Sequence, residues 1–315
     1  MSPAPDTPVT ASAVVPCFDR MALLERTLAA LAAQRLPGGE APEIVVADNH
    51  PDSPARALAA RFGAVHVAAA PHRNIAAARN RGVAAARGRY IAFIDDDEAP
   101  EPGCLAAHLA LLERSGADAS FGPKEPAYET GAPPEWDPEG HYFRTDLGLP
   151  EGAVLDPLAW WHGGGRGMGA GNSMMRRATC LAGPAPFDEV LGRAGGEDTE
   201  LLFRLARQGR RFLWCPSARV VEMNLAGRLS ADYMRARLAR SARHGAIFRV
   251  MHARHPALTR LAVWGIGLGQ VAVHGALWAL ARGAPPARRM RHRFGVAKGL
   301  GKLGIGTGLD FVREG

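Results

Sequence analysis

With 315 residues and 47% hydrophobic content, the chain can bury a sizeable core as one large domain or two. Its net charge of +7 is unevenly spread: residues 228–315 hold 16 Lys and Arg against 3 Asp and Glu, a net of +13, which leaves about −6 on residues 1–227. A basic tail on an acidic body calls for an anionic surface as partner, and the lack of an RNA- or DNA-binding motif or interleaved aromatic platform sets nucleic acid aside in favour of an anionic membrane.

The first 11 residues, rich in Pro and Thr, read as a short disordered lead with neither the basic nor the apolar region of a secretory signal. A strand is expected over 13–15. Met21, Leu24, Leu28 and Leu31 then recur at spacings of three and four, which predicts a helix with one buried stripe. Strands follow over 44–47 and 64–67. Asn74 is a plausible N-cap for an Ala-rich helix over 75–87 that stops at Gly88. Short apolar runs alternating with helical patterns mark a parallel sheet covered by helices, and ligands bind such sheets beyond the carboxyl ends of the strands. Cys17, Cys104, Cys180 and Cys215 are far apart and form no C-x-x-C pair, so buried thiols in a reducing compartment are expected rather than zinc ligands.

The strand-like run Tyr90-Ile91-Ala92-Phe93-Ile94 ends in Asp95, Asp96 and Asp97. Three adjacent carboxylates destabilise a fold unless cations or hydrogen-bond donors offset them, and Mg²⁺ or Mn²⁺ would do so while leaving positions open for phosphate oxygens. A solvated acidic turn is the alternative. An aspartyl-phosphatase would need a hydroxyl where Ala99 stands, and a prenyl synthase would space its aspartates along a helix. No G-x-G-x-x-G follows a strand, which argues against a dinucleotide cofactor.

Taken in order, Val14-Val15-Pro16-Cys17-Phe18-Asp19-Arg20, Glu43-Ile44-Val45-Val46-Ala47-Asp48-Asn49, Ala78-Arg79-Asn80-Arg81-Gly82 and Phe93-Ile94-Asp95-Asp96-Asp97 resemble a family 2 glycosyltransferase. The second half agrees, through Gly171-Asn172-Ser173, Phe187-Asp188-Glu189 and Gly195-Gly196-Glu197-Asp198-Thr199-Glu200. The resemblance spans about 11 to 225. It implies an α/β GT-A fold over 12–225, with a nucleotide-sugar half at 12–125 and an acceptor half at 126–225; past it, the charge and apolar pattern reads as a helical, basic and partly apolar tail over 226–315. It further implies a metal-dependent, inverting transfer from a nucleotide-sugar, first a UDP-sugar, to a saccharide or lipid-linked acceptor in bacterial surface polysaccharide synthesis.

Carried onto this chain, the resemblance places Pro16, Asp19, Asp48, Arg73, Arg79, Asp95 and Asp96 around the donor. Asp48 would meet the nucleobase, Arg79 and Arg73 the base or diphosphate, Asp96 the ribose and Asp97 the metal. Arginine suits diphosphate because it is always charged and binds in a bidentate manner, although Arg79 could also be a helix-surface cation. Asp198 is the expected general base: a hydroxyl of high pKa must lose its proton as it attacks, and a carboxylate within reach can take it. Asp198 and Glu197 both also fit a helix N-terminus, whose dipole favours acids, and Glu197 is assigned to the acceptor. Where many members of the family carry a histidine this chain has Glu222, which is either a second oxygen ligand to the ion or an exposed loop acid.

Residues 128–171 are rich in Pro, Gly and aromatics, and Trp160 and Trp161 could face the acceptor sugar or pack in the core. Beyond 224, arginines interspersed with apolar residues read as a basic amphipathic helix or pair of helices. Residues 261–280, broken only by Gln270 and His274 among polar types, could lie in a membrane interface, span a bilayer, or pack in a helical subdomain. The expected location is cytoplasmic, peripheral at the inner face of the plasma membrane. A sugar-phosphate nucleotidyltransferase would share the sheet but needs a glycine-rich, basic N-terminal loop, which is absent. A non-catalytic saccharide- or membrane-binding scaffold could dispense with Asp97 or Asp198, and both are present.

Overall fold

The computed structural model of the chain describes residues 9–159 and 168–304. Strands β1 (Ala11–Cys17), β2 (Glu43–Asp48), β3 (Val65–Ala68) and β4 (Tyr90–Phe93) alternate with helices α1 (Met21–Ala32), α2 (Ala55–Arg61) and α3 (Ile75–Ala85). Then come β5 (Glu98–Pro100), α4 (Cys104–Ser115), β6 (Ala119–Phe121), β7 (Lys124–Tyr128), β8 (Val154–Leu155), β9 (Ser173–Arg176), α5 (Arg177–Cys180), α6 (Glu197–Arg207), β10 (Phe212–Trp214) and β11 (Val220–Asn224). Three helices close the described chain: α7 (Ala231–Met251), α8 (Pro256–Leu280) and α9 (Pro286–Leu303).

Eight strands form one sheet in the order β3-β2-β1-β4-β9-β6-β10-β8. The first four are mutually parallel, whereas β9 runs antiparallel to both β4 and β6. This is the mostly parallel, helix-flanked α/β sheet expected for GT-A; β8 runs antiparallel to β10 at one edge, and the reversed β9 brings Gly171-Asn172 back beside the aspartates. Because successive strand residues face opposite sides, Val15 and Val46 join the core beneath α1 and α4, while Val14 and Val45 join the one beneath α3 and α6. Leu24, Leu28 and Leu31 of the expected stripe are fully buried. The four cysteines are buried free thiols.

A smaller sheet, β5-β11-β7, lies next to the aspartates. Its register sets Glu222 opposite Glu98 and Pro126, and the Met223 amide donates to Asp97 O at 2.9 Å. The segments expected as strands and helices are present with shifted ends, since β1 extends to Ala11–Cys17 and α3 stops at Ala85, two residues before the expected end. The basic segment after 224 forms one 21-residue helix, α7, whose Ala246, Ile247 and Phe248 pack with Phe203 of α6.

Candidate active site

The carboxyl ends of β1 and β4, the N-terminus of α6, β11 and the start of α7 surround a cleft of about 590 Å³. Pro16, Arg79, Asp95, Asp96, Asp97, Glu197, Asp198 and Glu222 all line it. A smaller cavity of about 300 Å³ adjoins it, sharing Pro16, Arg20, Ile75 and Asp96, and includes Arg73.

Local sequence accounts for the frame around the cleft. Asn74 caps α3 as expected, accepting from the Ala77 amide at 3.0 Å. Asn49 holds the loop before it by donating to Ala69 O and Pro71 O, each at 2.9 Å. Asn80 on α3 donates to Phe187 O at 2.9 Å and accepts from the Phe187 amide at 2.9 Å, which fastens Phe187-Asp188-Glu189 to α3. At the other end, Gly195 and Gly196 take positive φ angles of 83° and 97°, and a Cβ on Gly196 would stand 3.0 Å from His244. Only glycine permits both the conformation and the approach that set Glu197 and Asp198 at the start of α6.

The acidic triplet is neutralised from within. Arg20 pairs with both Asp96 and Asp97, and Arg228 reaches Asp97 Oδ2 at 3.0 Å. Arg79, itself buried, bridges Asp95 at 3.1 Å and Glu197, so an ion pair joins the two halves of the motif set. Lys124 pairs with Glu98, whose Oε2 also accepts from the amides of Asp95 at 3.0 Å and Asn172 at 3.1 Å. Asn172 in turn donates to Pro123 O and Ala218 O and accepts from buried His108, making the Gly171-Asn172-Ser173 motif the support of the acid cluster. Among the described residues, Arg79 Nε and Glu197 Oε2 are buried without a hydrogen-bond partner, polar capacity left over at the centre of the cleft.

Burial dominates the electrostatics. It pushes Asp96 up to about 7, with Asp95 and Asp97 adding to the rise and Arg20 opposing it. Burial, with Asp198 alongside, raises Glu197 to about 7, and burial raises Glu98 to about 8 against the pull of Lys124. Burial acts on Asp95 in the same sense, but Arg79 and then Lys124 outweigh it and hold that carboxyl below the usual range. Glu222 is raised by burial and by Asp97 nearby.

Other residues expected at the site stand differently. Asp48 is fully buried, accepting from the His50 amide at 3.1 Å and the Ala55 amide at 2.9 Å, where it holds the start of α2 and lines neither cavity. Asp19 is exposed and lines neither cavity. Arg73 stands 4.9 Å over the Phe18 ring at the smaller cavity. Glu197 lines the cleft with its carboxylate paired to Arg79. Trp160 and Trp161 lie outside the described residues. Glu222 lines the cleft and is not an exposed loop acid.

Asp97 and Glu222 offer the hard oxygen donors that Mg²⁺ or Mn²⁺ takes, but the charges now on Asp97 are guanidinium groups, and no group of three or more His, Cys, Asp and Glu is arranged to hold a metal among the described residues. An ion here would rest on those two carboxylates and on oxygens of a ligand. The segment read as a tail also contributes Arg228, Tyr233, Arg237 and His244 to the cleft, and the middle region adds Tyr142, Phe143 and Thr145. Arg20 was within reach of sequence reasoning, since it ends the first motif. The α7 residues carry no local signal.

The model of the glycosyl transferase family 2 matches residues 12–177, and the chain belongs to that family. It is 30% identical over 305 residues to the succinoglycan biosynthesis protein ExoM of Rhizobium meliloti (strain 1021), covering 95% of this chain and 92% of ExoM. In fold it is similar to S. aureus TarS 1–349 in complex with UDP-GlcNAc, at a TM-score of 0.57 and 14% identity over 97% of this chain and 90% of that one. It is also similar to GalNAc-T7 with UDP, GalNAc and Mn2+, at 0.51 and 16% identity over 77% of this chain and 48% of that one.

Proposed function

We propose that this glycosyltransferase carries out an inverting, metal-dependent transfer from a nucleotide-sugar, with UDP as the favoured nucleotide, to a saccharide or lipid-linked acceptor in bacterial surface polysaccharide synthesis. The observation that carries the reading is the single cleft in which Asp95 to Asp97, Arg79 and Asp198 converge around unsatisfied buried polar atoms. The likeness to ExoM supports the polysaccharide setting, and the UDP, UDP-GlcNAc and Mn2+ of the similar structures support the donor and the ion.

In this reading the acceptor oxygen attacks the anomeric carbon opposite the diphosphate. The new C–O bond forms as the bond to the leaving phosphate oxygen breaks, with the electron pair departing on the nucleoside diphosphate. Asp198 receives the hydroxyl proton. Its Oδ1 accepts from the Thr199 amide at 2.6 Å and its Oδ2 from the Ala170 amide at 3.3 Å, contacts that fix the carboxylate at the cleft wall. Arg79 orients Glu197 and Asp95, while Arg20 and Arg228 bring positive charge to where the diphosphate would lie. A divalent ion held by Asp97 and Glu222 would offset leaving-group charge without a proton. Assaying the purified chain with UDP-, GDP- and dTDP-sugars, with and without Mn²⁺, tests the donor and the metal, and the product's anomeric coupling constant tests inversion. Donor hydrolysis or transfer unaffected by chelation would overturn the metal role, and retained configuration would overturn inversion.

A further inference from the structure

Helix α8 has two unlike sides. One packs inward: Val263 joins Phe203 of α6 and Phe248 of α7, and Gly267 lies against α9, where a Cβ would meet Gly299 O at 3.0 Å, Lys302 donates to Gln270 at 2.9 Å and the ring nitrogens of His274 and His292 stand 3.3 Å apart. The other side faces outward and is apolar from end to end. Leu258, Leu261, Leu268, Val273 and Leu280 are each more than half exposed, and only 11% of the helix's most apolar window is buried. Exposed Arg254, Arg260 and Arg282 bracket this stripe, and α9 beside it adds six further cations between Arg288 and Lys302. So long an apolar face marks an interaction surface.

We infer that α8 seats the enzyme on an anionic bilayer, lying in the plane of the interface with its outward face among the acyl chains and the flanking arginines among lipid phosphates. Three occupants compete for such a face. A second copy of the chain would bring two tails of net +13 together, which charge disfavours. A spanning arrangement has the length, since 25 residues rise about 37 Å. It would carry the cations of α9, bound along α8, into hydrocarbon, which the glycine-close packing of the two helices makes unavoidable. The interfacial arrangement leaves every cation in the headgroup layer and buries only the apolar stripe, matching a surface of opposite charge. The inference goes beyond the transfer reaction and stands whether or not the donor and metal assignments hold.

The test uses the full chain and vesicles of phosphatidylcholine with or without phosphatidylglycerol. The wild type should co-sediment with the anionic vesicles and far less with the neutral ones, and alkaline carbonate without detergent should release it. The Leu261→Glu/Leu268→Glu variant, altered at exposed positions away from the cleft, should keep its circular dichroism and lose about tenfold or more in vesicle affinity. Equal recovery in the supernatant with both vesicle types, or no effect of the double substitution, would overturn the proposal. Retention through carbonate would replace it with a spanning helix. A wild-type dimer by light scattering that the variant dissolves, with no vesicle binding, would assign the face to a second copy.

Discussion

Replacing Asp198 by Asn separates proton transfer from architecture, because the two roles differ in magnitude. In the cleft, Asp198 Oδ1 accepts from the Thr199 amide and Oδ2 from the Ala170 amide. An Asn keeps one acceptor oxygen for Thr199 and loses only the charge and the Ala170 contact, which at 3.3 Å is weak. As an acid in the first turn of α6, Asp198 contributes about 0.3–1 kcal/mol through the helix dipole, so the variant's Tm should fall by no more than about 4 °C. General-base assistance is worth about 10²–10⁴-fold, or roughly 3–5 kcal/mol of barrier. Arg79, Asp95 and Asp97 keep their pairs, so donor affinity should hold within about twofold. Single-turnover transfer measured beside calorimetric donor titration reads both effects. Near-normal turnover with a small loss of Tm would refute the catalytic assignment and leave Asp198 as a helix-end acid.

The remaining predictions address the acid cluster. Asp97→Asn should weaken Mn²⁺-dependent donor binding by about tenfold or more and abolish transfer, read by calorimetry with and without the ion; unchanged affinity would remove Asp97 from the metal. The carboxyls of Asp96, Glu197 and Glu98 have folded values raised by burial to about 7, about 7 and about 8, so each favours the fold below its unfolded value and loses that contribution as pH climbs through the raised one. The ligand-free protein should therefore melt lower at about pH 8 than at about pH 5, and Asp96→Asn should flatten the slope; a rise in Tm over that interval would contradict the assignment. Gly171→Ala would set a methyl 2.5 Å from Asp95 Oδ2 and from Lys124 Nζ, and should cost about 1–3 kcal/mol in urea unfolding together with a loss of donor affinity.

What could be read from the chain followed its local signals. The apolar run before Asp95 and the three-and-four spacing of Leu24, Leu28 and Leu31 are short-range patterns, and they became β4 and the buried stripe of α1. The cap at Asn74 is likewise local. The reversal of β9 carries no local signal, because Ser173-Met174-Met175-Arg176 is a four-residue strand whose direction is decided by β4 and β6, more than fifty residues away. The partners of the triplet were hidden for a related reason. Arg228 reaches Asp97 across 131 residues of sequence, from a segment whose charge suggested only a membrane partner. Asp48 illustrates the converse: a family motif marks the position, while its buried hydrogen bonds to His50 and Ala55 reveal a structural duty as well.

The arginines paired with Asp96 and Asp97 would turn ligand capture into an exchange. Were a divalent ion to take Asp97 as a ligand, it would compete with Arg20 and Arg228 for that carboxylate and leave their guanidinium groups available to a diphosphate. Net charge in the cleft would then change little, because an incoming cation and anion would replace contacts that are already matched. Metal and nucleotide should accordingly bind better together than either does alone, since each by itself leaves the other's counter-charge stranded.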